Sequence, residues 1–129
     1  MFSVFLRVVG VVQLVLGLAY LFMPGVLLQQ MGHSSVSPDV YYPLGMLAAR
    51  FIAYGLGLWI ISRHAREHAL WVALMGLIQL IDLGVGVFYS LSGVLPWRLS
   101  AFPMFNAVWI GAICSIWYLL QRRAGPGQR

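Results

Sequence analysis

Arg50 and Asp82 each sit near the middle of a long apolar run. A guanidinium or carboxylate at that depth is expensive in lipid, and such residues mark ligand sites, proton paths or paired structural sites. An arginine stays charged and offers five donors, so it can hold a carboxylate, a carbonyl oxygen or a phosphate oxygen. A carboxylate beside it can orient that fork or exchange a proton. Three amides are placed to join them: Gln13 in the first apolar run, Gln79 in the run that holds Asp82, and Asn106 in the last. Counted from the same end of each run, Gln13, Arg50 and Asp82 lie about nine residues deep and Asn106 about seven, or roughly 10–14 Å at the helical rise. The expectation is one polar layer of Gln13, Arg50, Gln79, Asp82 and Asn106, built on an Arg50–Asp82 ion pair. Three roles stay open for it: fixing helix register, holding a ligand or proton, or turning one charge toward another subunit.

The elements that must carry this layer follow from composition. The 129-residue chain is 61% hydrophobic and 9% charged. Soluble domains carry about 25% charged residues, so lipid must solvate much of this surface. The formal charge is +5, and every basic residue is arginine. These arginines do not form one patch, as a nucleic-acid site would require. They lie mainly at the ends of apolar runs, where they set topology and meet anionic lipid. Cys114 is the single cysteine, so no intrachain disulfide forms.

A span needs about 20 apolar residues. Four stretches qualify: 4–23, 41–62, 69–91 and 99–120. The pattern predicts an all-α, integral membrane, four-helix antiparallel bundle occupying residues 1–121. A flexible basic tail, 122–129, follows it. The first run lacks a small-residue cleavage site, being followed by Phe22, Met23, Pro24 and Gly25, and reads as a retained span. Pro103 falls in the first turns of the fourth span, where a missing N–H is tolerated. Arg63 and Arg66 lie between spans two and three, and Arg122, Arg123 and Arg129 follow span four. The positive-inside rule then places both termini in the cytoplasm of a bacterial inner membrane. On the other side, Val26 to Met31 form a short amphipathic turn at the interface, and His33, Ser34 and Ser35 read as polar loop.

Periodicity assigns faces. Gly10, Gln13, Gly17 and Tyr20 form one stripe of span one. Gly76, Gln79, Asp82, Gly86 and Tyr89 form one of span three, and Arg50, Ala53, Tyr54 and Gly57 share a side of span two. Small residues let helices approach and polar ones bond across them, so these stripes are expected to face inward.

Other motifs carry less. His64-Ala65-Arg66-Glu67-His68 matches the H-x-x-E-H pattern of inverted zinc peptidases, and His64 and His68 are the only metal-ligand candidates. The chemistry needs a further acid, and Asp39, Glu67 and Asp82 are the only acids; none is suitably spaced, so no metal site is assigned. The G-x-G pairs at Gly55/Gly57 and Gly84/Gly86 lie within spans rather than after a strand, and read as close helix packing. Ser90, Ser92 and Ser100 have no His–Asp arrangement near them to make a nucleophile. No catalytic residue is assigned, and no cofactor beyond a quinone or lipid suits the polar layer.

Leu6-Arg7-Val8-Val9-Gly10 opens span one, and Gly17-Leu18 and Pro24 close it. Ala49-Arg50-Phe51 and Gly55-Leu56-Gly57 mark span two. In these features and its four-span layout the chain resembles the small bacterial DoxX-like membrane proteins. That resemblance implies a four-helix membrane fold and an association with quinone-linked redox complexes. Three functions therefore follow as expectations. The leading one is an accessory subunit or assembly partner of a larger membrane complex, possessing lipids and other membrane subunits, or copies of itself, as partners. The alternatives are a quinone- or lipid-binding protein using Arg50 and Asp82, and a small proton-coupled transporter using Asp82. The carboxylate of small four-span exporters lies in the first span, where this chain has Gln13.

Overall fold

The computed structural model describes residues 1–33 and 36–123. The expected polar-loop residues Ser34 and Ser35, and residues 124–129 of the expected tail, lie outside them. The described residues form helices and turns. They are α1 (Phe2–Phe22), α2 (Pro24–Gln30), a 3-10 turn (Pro38–Val40), α3 (Tyr41–Ile61), α4 (Ala69–Leu91) and α5 (Trp97–Arg123). Four of these segments, with α3 counted together with its preceding turn, are long and apolar enough to cross a membrane. This is the make-up of a multi-pass membrane protein, in which each helix satisfies its own backbone where water is absent.

The chain divides into two compact units, Met1–Arg63 and His64–Arg129. In the first, α1 stops where Pro24 cannot continue it; Met23 leaves helical geometry while its N–H still reaches Ala19 O. Proline is suited to the first position of the next helix, and α2 starts there. Gly32, at φ 92°, ends α2. Its N–H bonds Gln29 O at 2.9 Å and the His33 N–H bonds Leu28 O at 3.0 Å, the paired bonds of a glycine-terminated helix. The short segment expected after span one is therefore a helix with Leu28 buried. Pro38 opens the 3-10 turn that leads into α3.

Within this unit α1 packs on α3 through glycine. A Cβ on Gly10 would lie 2.9 Å from Gly55 O, and one on Gly55 would lie 2.8 Å from Gly10 O. Farther along, a Cβ on Gly17 would meet Ala48 O at 3.1 Å and Ile52 Cγ1 at 2.7 Å. Rising numbers on α1 meet falling numbers on α3, so the two helices run in opposite directions. Tyr20 stacks on Phe51, with centroids 5.7 Å apart.

In the second unit α4 packs on α5. Gly76 faces Cys114 and Ser115, Gln79 faces Gly111, and Gly86 faces Met104, again in opposite directions. Gly93, at φ 75°, ends α4, and Leu95 N–H returns to Tyr89 O at 3.0 Å. The Leu99 N–H bonds Pro96 O at 2.9 Å, so α5 begins at Trp97, two residues before the expected start. Pro103 consequently lies inside the helix, and the Leu99 carbonyl loses its usual donor. At the far end α5 continues through Arg122 and Arg123, residues expected to open the tail. The Arg122 guanidinium lies 5.7 Å from the Tyr118 ring centroid.

The loop between α4 and α5 is closed by two buried hydroxyls, Ser90 Oγ and Ser100 Oγ, 2.7 Å apart. Ser100 Oγ also bonds Trp97 O at 3.3 Å, so it is removal of Ser100 that leaves Ser90 buried and short of a bond, whereas replacing both removes the need. Ser100→Val is expected to lower the unfolding free energy in mild detergent by about 1–2 kcal/mol, and Ser90→Ala/Ser100→Ala by less. Thermal unfolding of both variants checks this; a double variant weaker than the single would reject the pairing.

Candidate functional site

The polar residues singled out in the sequence fall in both units, and each is described within its own. In the first unit Gln13 is buried, at 5% exposure, beside the glycine stripe of α1. Gly10 and Gly17 are buried with it and Tyr20 is half-buried, so the inward face expected for span one is the one that packs on α3. The Tyr20 hydroxyl reaches Met31 Sδ at 3.6 Å, joining α1 to the residue that follows α2.

On α3 the stripe of Arg50, Ala53, Tyr54 and Gly57 is not the side that meets α1. The side of α3 that meets α1 carries Ala48, Ile52, Gly55 and Leu58. At about 3.6 residues per turn, Arg50 projects from roughly the opposite side to Ala48, and Ala53 and Gly57 share that direction. Gly55 decides the outcome, because a glycine at 55 admits the Gly10 backbone. Arg50 is half-buried, and its guanidinium carbon lies 5.6 Å from the Phe51 ring centroid.

In the second unit Gln79 is buried at 5% exposure, and its Nε2 donates to Met75 Sδ at 3.4 Å. Its Cβ presses on Gly111, where an added Cβ would lie 3.1 Å away. Asp82 is half-buried, one turn farther along α4. Gly86 of the same stripe meets Met104, but Tyr89 is exposed and Ser90 takes the buried position instead. Asn106 is half-buried on α5, and its Oδ1 accepts a bond from Trp109 Nε1 at 2.9 Å. The amide is thus tied to its own helix. Gly84, the first glycine of the second G-x-G pair, has open space where a Cβ would project.

His64, Glu67 and His68 lie in turns ahead of α4 rather than on a helix. The backbone closes on itself there, with the Glu67 N–H and His68 N–H both reaching His64 O. Among the described residues no group of three potential ligands gathers to hold a metal.

One arrangement was not foreseen from the sequence. Arg7 Nε donates to Ser62 Oγ at 3.0 Å, and the same guanidinium sits 6.0 Å from the Trp59 ring centroid. Ser62 is buried. The only sequence signal was an arginine and a tryptophan near corresponding ends of two spans; their adjacency depends on the opposed register of α1 and α3.

No family model, curated protein or solved structure matches the chain.

Proposed function

We propose that this protein is a small multi-pass membrane subunit that docks on, or assists assembly of, a larger membrane complex. The supporting observation is how little of each span is used internally. Only 28%, 22%, 22% and 28% of the most apolar window of the four spans is buried. Large side chains line the remainder, among them Phe102, Phe105, Ile116 and Leu119 on α5. Lipid tails cover such faces without net gain, while packing against another helix adds van der Waals contact and polar bonds. The described chain outside the helices consists of short segments, so the spans supply most of the surface on which such a complex would be recognised. In this reading the four spans form an antiparallel bundle with both termini in the cytoplasm of a bacterial inner membrane. The arginines around residues 63–66 and 122–123 support that orientation. The likeness to DoxX-like proteins adds a redox complex as the partner class.

Extraction in a mild detergent followed by native mass measurement tests the proposal. A second membrane protein at fixed stoichiometry is the expected result. Monomer or homo-oligomer alone, with no second protein, would reject it.

A second reading is favoured by the placement of Arg50 on the side of α3 turned away from α1. In this reading Arg50, near the middle of its span, binds a quinone carbonyl or a lipid oxygen through its planar fork. Asp82, at the middle of its own span in the second unit, would take a proton. Mass analysis of co-purified quinone and lipid in wild type and Arg50→Leu separates this reading from the first.

A further inference from the structure

Arg7 closes one end of an apolar groove on the first unit. The walls are Val8, Val11 and Val12 of α1 and Trp59 of α3, and the groove holds about 250 Å³. The lane continues along α1 past exposed Val15, which shares a face with Val8, Val11 and Val12 at helical spacing.

The cation at its end is held in place. Ser62 takes the Nε hydrogen of Arg7 and the Trp59 ring lies against the guanidinium. Both contacts engage the root and face of the fork and leave its terminal amines for another acceptor. Among the described residues no carboxylate forms an ion pair with Arg7. Arg63 follows Ser62 directly, adding a second positive charge at this end of the unit.

We propose that this groove is a binding site for one anionic phospholipid, distinct from the Arg50 level. An acyl chain lies along Val8, Val11 and Val12, and the phosphate takes the free amines of Arg7. Trp59 sits at the glycerol level, as interfacial tryptophans do. A planar guanidinium binds phosphate through two parallel bonds, and nearby arginines favour an acidic headgroup over a zwitterionic one. Charge argues against a second copy of the chain as occupant. The chain has three acids against eight arginines, so a second copy supplies little to neutralise Arg7.

The test is native mass spectrometry of the full chain in mild detergent, with phosphatidylglycerol and phosphatidylcholine of identical acyl chains offered together. Wild type is expected to retain phosphatidylglycerol about fivefold or more over phosphatidylcholine. Arg7→Gln should lose that preference. Val11→Trp, at an exposed position outside the α1–α3 contact, should fill the groove and cut retention of both lipids with Arg7 intact. Arg98→Gln, which removes one exposed positive charge from the second unit, should leave the preference unchanged, so that loss in Arg7→Gln reads the groove and not net charge. Equal retention in wild type, or unchanged retention in both groove variants, overturns the proposal. So does displacement by excess glycerol phosphate, which would reveal a headgroup site needing no chain. A lipid-free dimer abolished by Val11→Trp would assign the groove to a second copy and likewise overturn it.

Discussion

Gly55→Ala is expected to destabilise the α1–α3 pair by about 1–3 kcal/mol, the usual cost of overpacking, and Gly55→Val by more. The reason is that the atoms in the way are backbone. A Cβ at 55 would lie 2.8 Å from Gly10 O and 3.0 Å from Leu14 N. A flexible side chain can step aside from such a contact, but two helices meeting backbone to backbone can only move apart. Moving apart also opens the contacts made by Gly17 with Ala48 and Ile52. Gly10→Ala should behave like Gly55→Ala, because its Cβ would lie 2.9 Å from Gly55 O. Gly45 and Gly84 provide the contrast, since both are helical and neither has an atom within 4 Å of an added Cβ. Alanine at those two positions should be neutral or should stabilise by about 0.5–1 kcal/mol, through lower backbone entropy in the unfolded chain. Denaturant titration in a fixed mild detergent ranks the four variants. Gly55→Ala as stable as Gly45→Ala would show that the glycine crossing does not hold the first unit together.

Arg50→Leu is expected to separate function from folding. Arg50 lies away from α1, so the amides around Gly10 and Gly55 should keep their hydrogen-exchange protection. Retention of the partner complex, or of quinone or lipid, should fall about tenfold or more, since a charge-assisted bond is worth about 1.5–3 kcal/mol. Arg50→Lys keeps the charge but loses the planar fork, so it should recover only part of that binding. The ion pair expected from the sequence adds a sign test. If the two charges neutralise one another, Asp82→Leu placed on Arg50→Leu restores stability lost by either single change, with a coupling of about 0.5–3 kcal/mol. Additive losses would mean that the charges act separately. Partner and ligand retention unchanged in Arg50→Leu would remove both functional readings of this residue.

The four spans were legible in the sequence because their signal is local. Length and hydropathy over about 20 residues locate a crossing without knowledge of its neighbours, and helices at 2–22, 41–61, 69–91 and 97–123 match the expected stretches closely. The stop of the first span was legible for the same reason, because Pro24 acts on its own backbone. So were the buried positions of Gln13 and Gln79, each of which shares a helical stripe with glycines. What the residues alone left undecided was which side of a helix meets which neighbour. Span two carries small residues on two sides, Ala53 and Gly57 on one and Ala48 and Gly55 on the other, and periodicity does not say which of them meets α1. Only the fit of two backbones at Gly10 and Gly55 breaks that tie, because close approach is a property of a pair of helices. The same opposed register brings Arg7 to Ser62 and Trp59, residues more than fifty positions away in the chain, and no local pattern encodes that meeting.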